Sequence, residues 1–408
     1  MPENELEIAQ IQIFETLKWS EKCTRQIGIE VTDVSTNTFC GKTGKKCLIL
    51  LGQTMLFLLV LVQLCHIIEG MVNGDLVYAV LGIHITGYGM LGLGKWVTLQ
   101  KKQHVIKELV YQLAEIWPVH LEDPEAVEIK RSTLLKLRIV QACYIMFNIS
   151  GILAYTVFPF IQFLVMMYIL GKPADLGYAF FATYPFDKTK PVYHEISFVF
   201  ESVGGILSVF SMLGSDVMFI SMASHISMLL RLLQIRIGRI TSAVESGDGV
   251  HELFDCSQEA INVIKVHQRL IKYSEDLEDA FTVSNFINIL MSSVNICCVT
   301  FNIVLIEPVT EYSNKLFLAA TLNQVFLICW YADEMYRSSL GVSDAVYKCD
   351  WFKCNNRCRR IFLLMIVRSQ KALCFTALKF SSITIATFTS ILTTSYSYFT
   401  LLYTMYSE

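Results

Sequence analysis

Phe375–Met405 reads FTALKFSSITIATFTSILTTSYSYFTLLYTM, thirty-one residues that are apolar and long enough to cross a bilayer. Twelve of them between Ser381 and Thr404 are Ser or Thr, an unusual share for a spanning helix. Ser390, Thr393, Ser397, Thr400 and Thr404 fall on one helical face, and Ile385, Phe388, Ile391, Tyr398, Phe399 and Leu402 on the other. One side is expected to meet lipid or protein and the other water. The hydroxyls can also bond back to their own helix carbonyls, so the stripe alone leaves a structural role open.

The rest of the chain sets that stretch in a larger membrane protein. The 408 residues are 53% hydrophobic and only 17% charged, with a mean hydropathy of +0.48. Soluble domains carry about 25% charged residues. Seven spans are predicted: Cys47–Ile68, Leu76–Val97, Leu137–Phe158, Ile196–Met222, Thr282–Ile306, Asn314–Tyr331 and Ala377–Leu402. The apolar run Ile161–Leu170 after Pro159 is too short to cross and is read as a continuation or an interfacial segment. Glycines crowd the second span, which suits close helix packing. The sixth carries Asn323 and Gln324 and belongs inside the bundle. No cleavable signal is visible in the first 46 residues, so the first span is expected to act as its own insertion signal.

Basic residues orient the spans. The N-terminal segment has six Lys or Arg; the second, fourth and sixth loops have six, six and eight; the third loop has three, and the first, the fifth and the C-terminal tail have none. The positive-inside rule then places the N-terminus and the even-numbered loops in the cytoplasm and the C-terminus outside. The cytoplasmic connections are themselves helical by period: Gln103–Trp117, Met228–Ile240 and Phe254–Ile271. Glu245–Gly249 alone reads as a flexible linker. The division expected is 1–46 as an N-terminal segment, 47–336 as spans one to six with their helical extensions, and 337–408 as an anchor segment with the last helix.

Chemistry is sparse. Cys349, Cys354 and Cys358 have a spacing that fits no common zinc pattern, and reduced thiols or lipidation sites are the simpler reading. GKTGKK at Gly41–Lys46 lacks phosphate-loop spacing, and the Asn148–Ser150 sequon falls within a span. No Ser-His-Asp set, carboxylate pair or HExxH occurs, so no enzyme, metal, cofactor or nucleic-acid partner is expected. His84, Glu201, Asp216 and Lys379 lie at membrane depth without forming a relay series, and each reads more simply as an interfacial or helix-end charge. Glu307 and Glu311 flank the fifth loop and could concentrate cations near a pore mouth. Aromatics gather in the outer halves of the spans: Tyr78 and Tyr88, Phe147, Tyr155 and Phe158, Phe198 and Phe200, with Phe180, Phe181, Tyr184 and Phe186 in the third loop. They could wall a pocket for a small organic ligand or form an ordinary aromatic belt.

His267–Leu270, Ser274–Glu278 and Phe281, continued by Ile296, Cys297 and Phe301, resemble the helix leading into span five of the insect odorant receptor family. Ser338–Leu340, Ala345–Tyr347 and Trp351 resemble the segment after span six; Arg359, Leu364, Met365, Gln370 and Ser397–Leu402 resemble its C-terminal signature, and Tyr184–Asp187 fits its third loop. Ala372 stands where many members have Pro. The resemblance covers the full length in topology and about Asn262–Tyr403 in motif.

It implies an all-α polytopic membrane protein of seven transmembrane helices with a helical cytoplasmic anchor. It further implies an odorant- or pheromone-gated non-selective cation channel subunit in a heterotetramer with an olfactory co-receptor, in the plasma membrane of sensory-neuron dendrites. The fourth loop, residues 223–280, lacks the long insertion of co-receptor chains. A small volatile ligand is expected among spans two, three, four and six, at Tyr78, His84, Tyr88, Phe147, Tyr155, Phe158, Phe198, Phe200 and Thr321. Ser397, Leu401, Thr404 and Met405 are expected at the pore, with Leu401 and Met405 as the gate. A gustatory-type subunit of the same topology is the alternative.

Overall fold

The computed structural model describes residues 3–31, 42–171, 179–187, 190–242, 257–305 and 312–407. Its helices are α1 (Glu3–Gln26), α2 (Lys42–Val72), α3 (Leu76–Glu115), α4 (Pro124–Leu164), α5 (Pro191–Ser242), α6 (Ser257–Leu305), α7 (Ser313–Lys348), α8 (Asn356–Ser369) and α9 (Ile385–Ser407). A two-residue hairpin, β1 (Thr376–Ala377) with β2 (Ser381–Ser382), precedes α9. Among the described residues, six helices, α2 to α7, are apolar and long enough to cross a membrane. At 23 residues α9 is the seventh, its apolarity diluted by hydroxyls. The predicted linker Glu245–Gly249 and the flanking Glu307 and Glu311 lie outside the described residues.

Helices α3, α5, α6 and α7 run far past the apolar stretches, because their apolar periodicity continues through the connections. In α3 the buried Ile106, Leu109, Val110 and Leu113 extend the core well below the span. This lower, basic end is closed by α1, which packs Ala9, Ile13 and Leu17 against α5 at four-residue spacing. Pro159 does not end the third span: α4 runs through it to Leu164 and finishes in a π-helical turn, Val165–Ile169. The apolar run Ile161–Leu170 is thus a continuation.

Buried glycines let the helices touch. A Cβ on Gly92 of α3 would lie 2.1 Å from Ser208 Oγ and 2.9 Å from Ser208 Cα on α5. Backbone cannot retreat as a side-chain end can, so Gly92→Leu must push α3 and α5 apart. Overpacking of this kind costs about 1–3 kcal/mol or more. A lowered melting temperature of the detergent-solubilised receptor is expected, whereas Gly238→Ala, where a Cβ meets nothing within 4 Å, should not lower it. Equal melting of the two variants would show that the α3–α5 approach is not tight.

The largest departure from the sequence reading is the start of the last helix. It begins at Ile385, not Ala377. The hairpin turns through Leu378 and Lys379, both at positive φ (51° and 63°), so the chain cannot be helical there. Thr376 Oγ1 bonds to Glu278 of α6, Leu378 N donates to Thr282 Oγ1 (2.8 Å), and Ile383 N donates to Phe375 O (2.8 Å).

The three clustered cysteines Cys349, Cys354 and Cys358 are all buried, and burial pushes the Cys349 thiol up to about 11. Buried thiols of this kind are inert, which suits reduced cysteines better than lipidation sites.

Candidate ligand cavity and last helix

In the upper half of the bundle a narrow, mostly apolar cavity with about 50 Å³ of free space lies between α2, α3, α4, α5 and α7. Leu59, Ile85, Ile152, Phe180 and Phe317 give its apolar walls. Its polar atoms are few. Tyr155 donates through its hydroxyl to Asn314 Oδ1 at 2.7 Å, tying α4 to the start of α7. Tyr88 OH lies 3.5 Å from Asn148 Oδ1, and Ser208 Oγ donates to Tyr88 O at 3.2 Å. Gln63 of α2 contributes an Oε1 that is buried without a hydrogen-bond partner among the described residues. Such an orphaned acceptor costs on the order of 1–3 kcal/mol until something donates to it.

Glu201, at membrane depth on α5, is fully buried and is not a helix-end charge. Its carboxylate accepts from Phe180 N (2.9 Å) and Tyr184 OH (3.0 Å), pinning the α4–α5 connection so that Phe180 closes the cavity wall. Burial, and then the neighbouring Glu201 carboxylate, push the Tyr184 phenol well above its usual range, so it stays a donor.

The structure brings only part of the predicted set together. Tyr88 and Tyr155 line the cavity. His84 stacks edge-on against Phe317 at 5.1 Å and meets Asn302 at 3.2 Å, behind the wall. Phe198 backs it through the cluster of Ile85, Ala179 and Phe180. Thr321 lies one residue beyond the lining Ala320 and bonds to Phe317 O. Tyr78 packs instead on His66 at 4.0 Å, Phe200 joins the main core, Phe147 does not reach the cavity, and Phe158 is 64% exposed on the outer face of α4. Sequence reasoning passed over Phe317, Ile152 and Gln63, which carry no signal beyond apolar or polar character. Asn148 was seen only as a glycosylation triplet.

Below the cavity lies a feature that sequence spacing hid. Lys95 of α3 and Asp216 of α5 form a buried ion pair. Lys95 also donates to Asn288 Oδ1 (2.9 Å), while Asp216 accepts from Tyr144 OH (3.0 Å) and Gln324 Nε2 (2.7 Å). Five helices meet at this one cluster. Asp216 is therefore a paired core charge, not an interfacial one.

Helix α9 packs a narrow stripe against α6. Ile391 and Ser395 are buried, and Ser395 Oγ donates to Ser293 O at 3.0 Å. Phe399 and Leu402 pack on Val80, Cys298 and Phe301. Tyr398, expected on that side, is 52% exposed. The opposite face holds Ser390, Thr393, Ser397, Thr400 and Thr404, all exposed, with Leu401 and Met405 at 59% and 58% beside them. Thr393, Ser397 and Thr404 bond to carbonyls of their own helix one turn back, at 2.9–3.0 Å. Thr393, Ser397, Thr400 and Thr404 are thus satisfied within their own helix, and the face they share is left exposed.

The family model described as "7tm Odorant receptor" matches residues 76–396. Among curated relatives, odorant receptor 85b of Drosophila melanogaster is 26% identical over 351 residues, covering 84% of this chain and 86% of its own. Odorant receptor 67c of the same organism is 28% identical over 265 residues, 63% of each chain. Among solved structures, the insect olfactory receptor OR5 from Machilis hrabei, in complex with eugenol, superposes with a TM-score of 0.81 at 17% identity. That match covers 97% of this chain and 99% of the other. The odorant receptors are receptors, not enzymes, and the chain belongs to the 7tm odorant receptor family.

Proposed function

We propose that the chain is the odorant- or pheromone-binding subunit of a ligand-gated, non-selective cation channel, assembled as a heterotetramer with an olfactory co-receptor. It would sit in the plasma membrane of a sensory dendrite with its basic end in the cytoplasm. The reading rests above all on α9, a spanning helix whose hydroxyl face is exposed among the described residues. A polar face is poorly placed against lipid and well placed along water. Equivalent faces from four subunits would line a pore, with Ser397 and Thr404 wetting the wall and Leu401 and Met405 narrowing it.

The cavity supports the ligand half of the proposal. Its apolar walls suit a small volatile molecule, for which the side chains around it would have to part, and Gln63, Tyr155 and Ser208 offer the polar handles. Ligand there must favour the open pore by differential contact. A ligand with a hydroxyl group gains an extra bond at Gln63 Oε1.

The test is expression with and without the co-receptor, and a panel of volatiles read by whole-cell current. Agonist-evoked cation current is expected only from the pair. Tyr155→Ala is expected to shift agonist potency tenfold or more at unchanged surface level, since it removes both wall area and the bond to Asn314. Unchanged potency removes Tyr155 from the binding wall, and loss of surface protein makes it only a packing residue.

A further inference from the structure

A second, larger cavity lies at the basic end of the molecule. It encloses about 990 Å³ between α1, the α3–α4 connection and the first turns of α4. Five cationic side chains line it: Lys18 and Lys22 from one face of α1, and Lys130, Arg131 and Arg138 from α4. Glu15 and Glu122 are its acidic groups, which leaves a clear positive excess. Lys18, Lys22, Arg131 and Arg138 are exposed, and none of the four is held in an ion pair among the described residues. Lys22 rests over Trp19 at 4.7 Å. Lys130 is engaged, donating to Gln12 Oε1 (2.9 Å) and Pro118 O (2.6 Å), and so helps build the floor.

Its level in the membrane is set by α4. In that helix only 6% of the most apolar window is buried, so α4 is the span most open to lipid. Arg131 and Arg138 are followed directly by exposed Ile139 (55%) and Met146 (71%) on the way up. The cavity thus opens where an apolar, lipid-facing helix changes to a basic one, which is the depth of phospholipid headgroups. Basic pockets between spans at this level bind phosphorylated headgroups, and each Lys or Arg near an anionic surface contributes about 1 kcal/mol.

We propose that this cavity binds the phosphorylated headgroup of an anionic phospholipid, of the inositol phosphate class, with its acyl chains lying along the exposed face of α4. Lys22, Arg131 and Arg138 supply the phosphate contacts from both walls, so the lipid clamps α1 to α4. Arginine suits the task because its fork can hold two phosphate oxygens at once.

The test uses the full-length chain in phosphatidylcholine nanodiscs and in detergent, titrated with fluorescent phosphatidylinositol 4,5-bisphosphate. Saturable binding is expected, reduced at least tenfold in the triple variant Lys22→Gln, Arg131→Gln, Arg138→Gln. The charge-retaining triple Lys22→Arg, Arg131→Lys, Arg138→Lys should keep most of it, which separates loss of the site from loss of folding. Neutralising the exposed Arg357 and Arg360 of α8 to Gln should leave it unchanged. Equal affinity in the neutral triple variant, or an equal loss from the α8 variant, overturns the site in favour of general surface attraction. Equally tight binding of soluble inositol trisphosphate overturns the lipid as occupant in favour of a free phosphorylated solute.

Discussion

Asp216→Ala is expected to destabilise the receptor by about 3–5 kcal/mol, the largest single-residue effect foreseen on folding. The substitution leaves the Lys95 ammonium fully buried with only Asn288 to solvate it, and it orphans Tyr144 OH and Gln324 Nε2 as well. A lone charge inside a span is costly however it is counted. Thermal unfolding of the solubilised receptor, followed by size-exclusion chromatography, measures the loss. The double variant Lys95→Met, Asp216→Leu should recover much of it, because no charge is then left buried. Single and double variants that melt alike would mean that the pair is not a core charge cluster, and that water reaches Lys95.

The largest effect on activity is expected from Leu401→Ser. If Leu401 narrows the pore, replacing it by a small hydroxyl lets water persist in the constriction. A shift of about 1.4 kcal/mol in the closed-to-open balance is a tenfold change in open population. Resting current in the absence of agonist should therefore rise several-fold, with surface expression unaltered, since Leu401 is more than half exposed. Met405→Ser, one turn further along the same face, should act in the same direction. Resting currents that stay at the parental level in both variants would move the gate away from these positions.

Much of the architecture was readable in the letters. Span count, the helical continuation of the connections and the interior placement of Gln324 follow from apolar period and from the scarcity of charge. The start of α9 did not follow, because the turn at Leu378 and Lys379 uses left-handed backbone without glycine or asparagine, and the apolar run passes through it unbroken. Helix α1 was hidden among the charges of its exposed face. For the cavity, Tyr88 and Tyr155 were found by aromatic character, but the same criterion brought in Phe158, which faces outward. Rotation about a helix axis decides which aromatic looks inward, and hydropathy alone does not encode it. The Lys95–Asp216 pair joins residues 121 positions apart, a distance over which spacing along the chain does not show which charge meets which.

The hairpin before α9 has a mechanical consequence. It fastens the foot of α9 to α6 through Thr376 and Leu378 and is closed on itself by Ile383 N and Phe375 O, whereas the remainder of α9 packs through an apolar stripe and a hydroxyl bond at Ser395. The foot is thus a pivot and the helix above it an arm. From Ile385 to Leu401 the arm rises roughly 24 Å at 1.5 Å per residue. A tilt of about 10° at the pivot then carries Leu401 sideways by roughly 4 Å, the width of a methyl group, with no rearrangement of the anchored end.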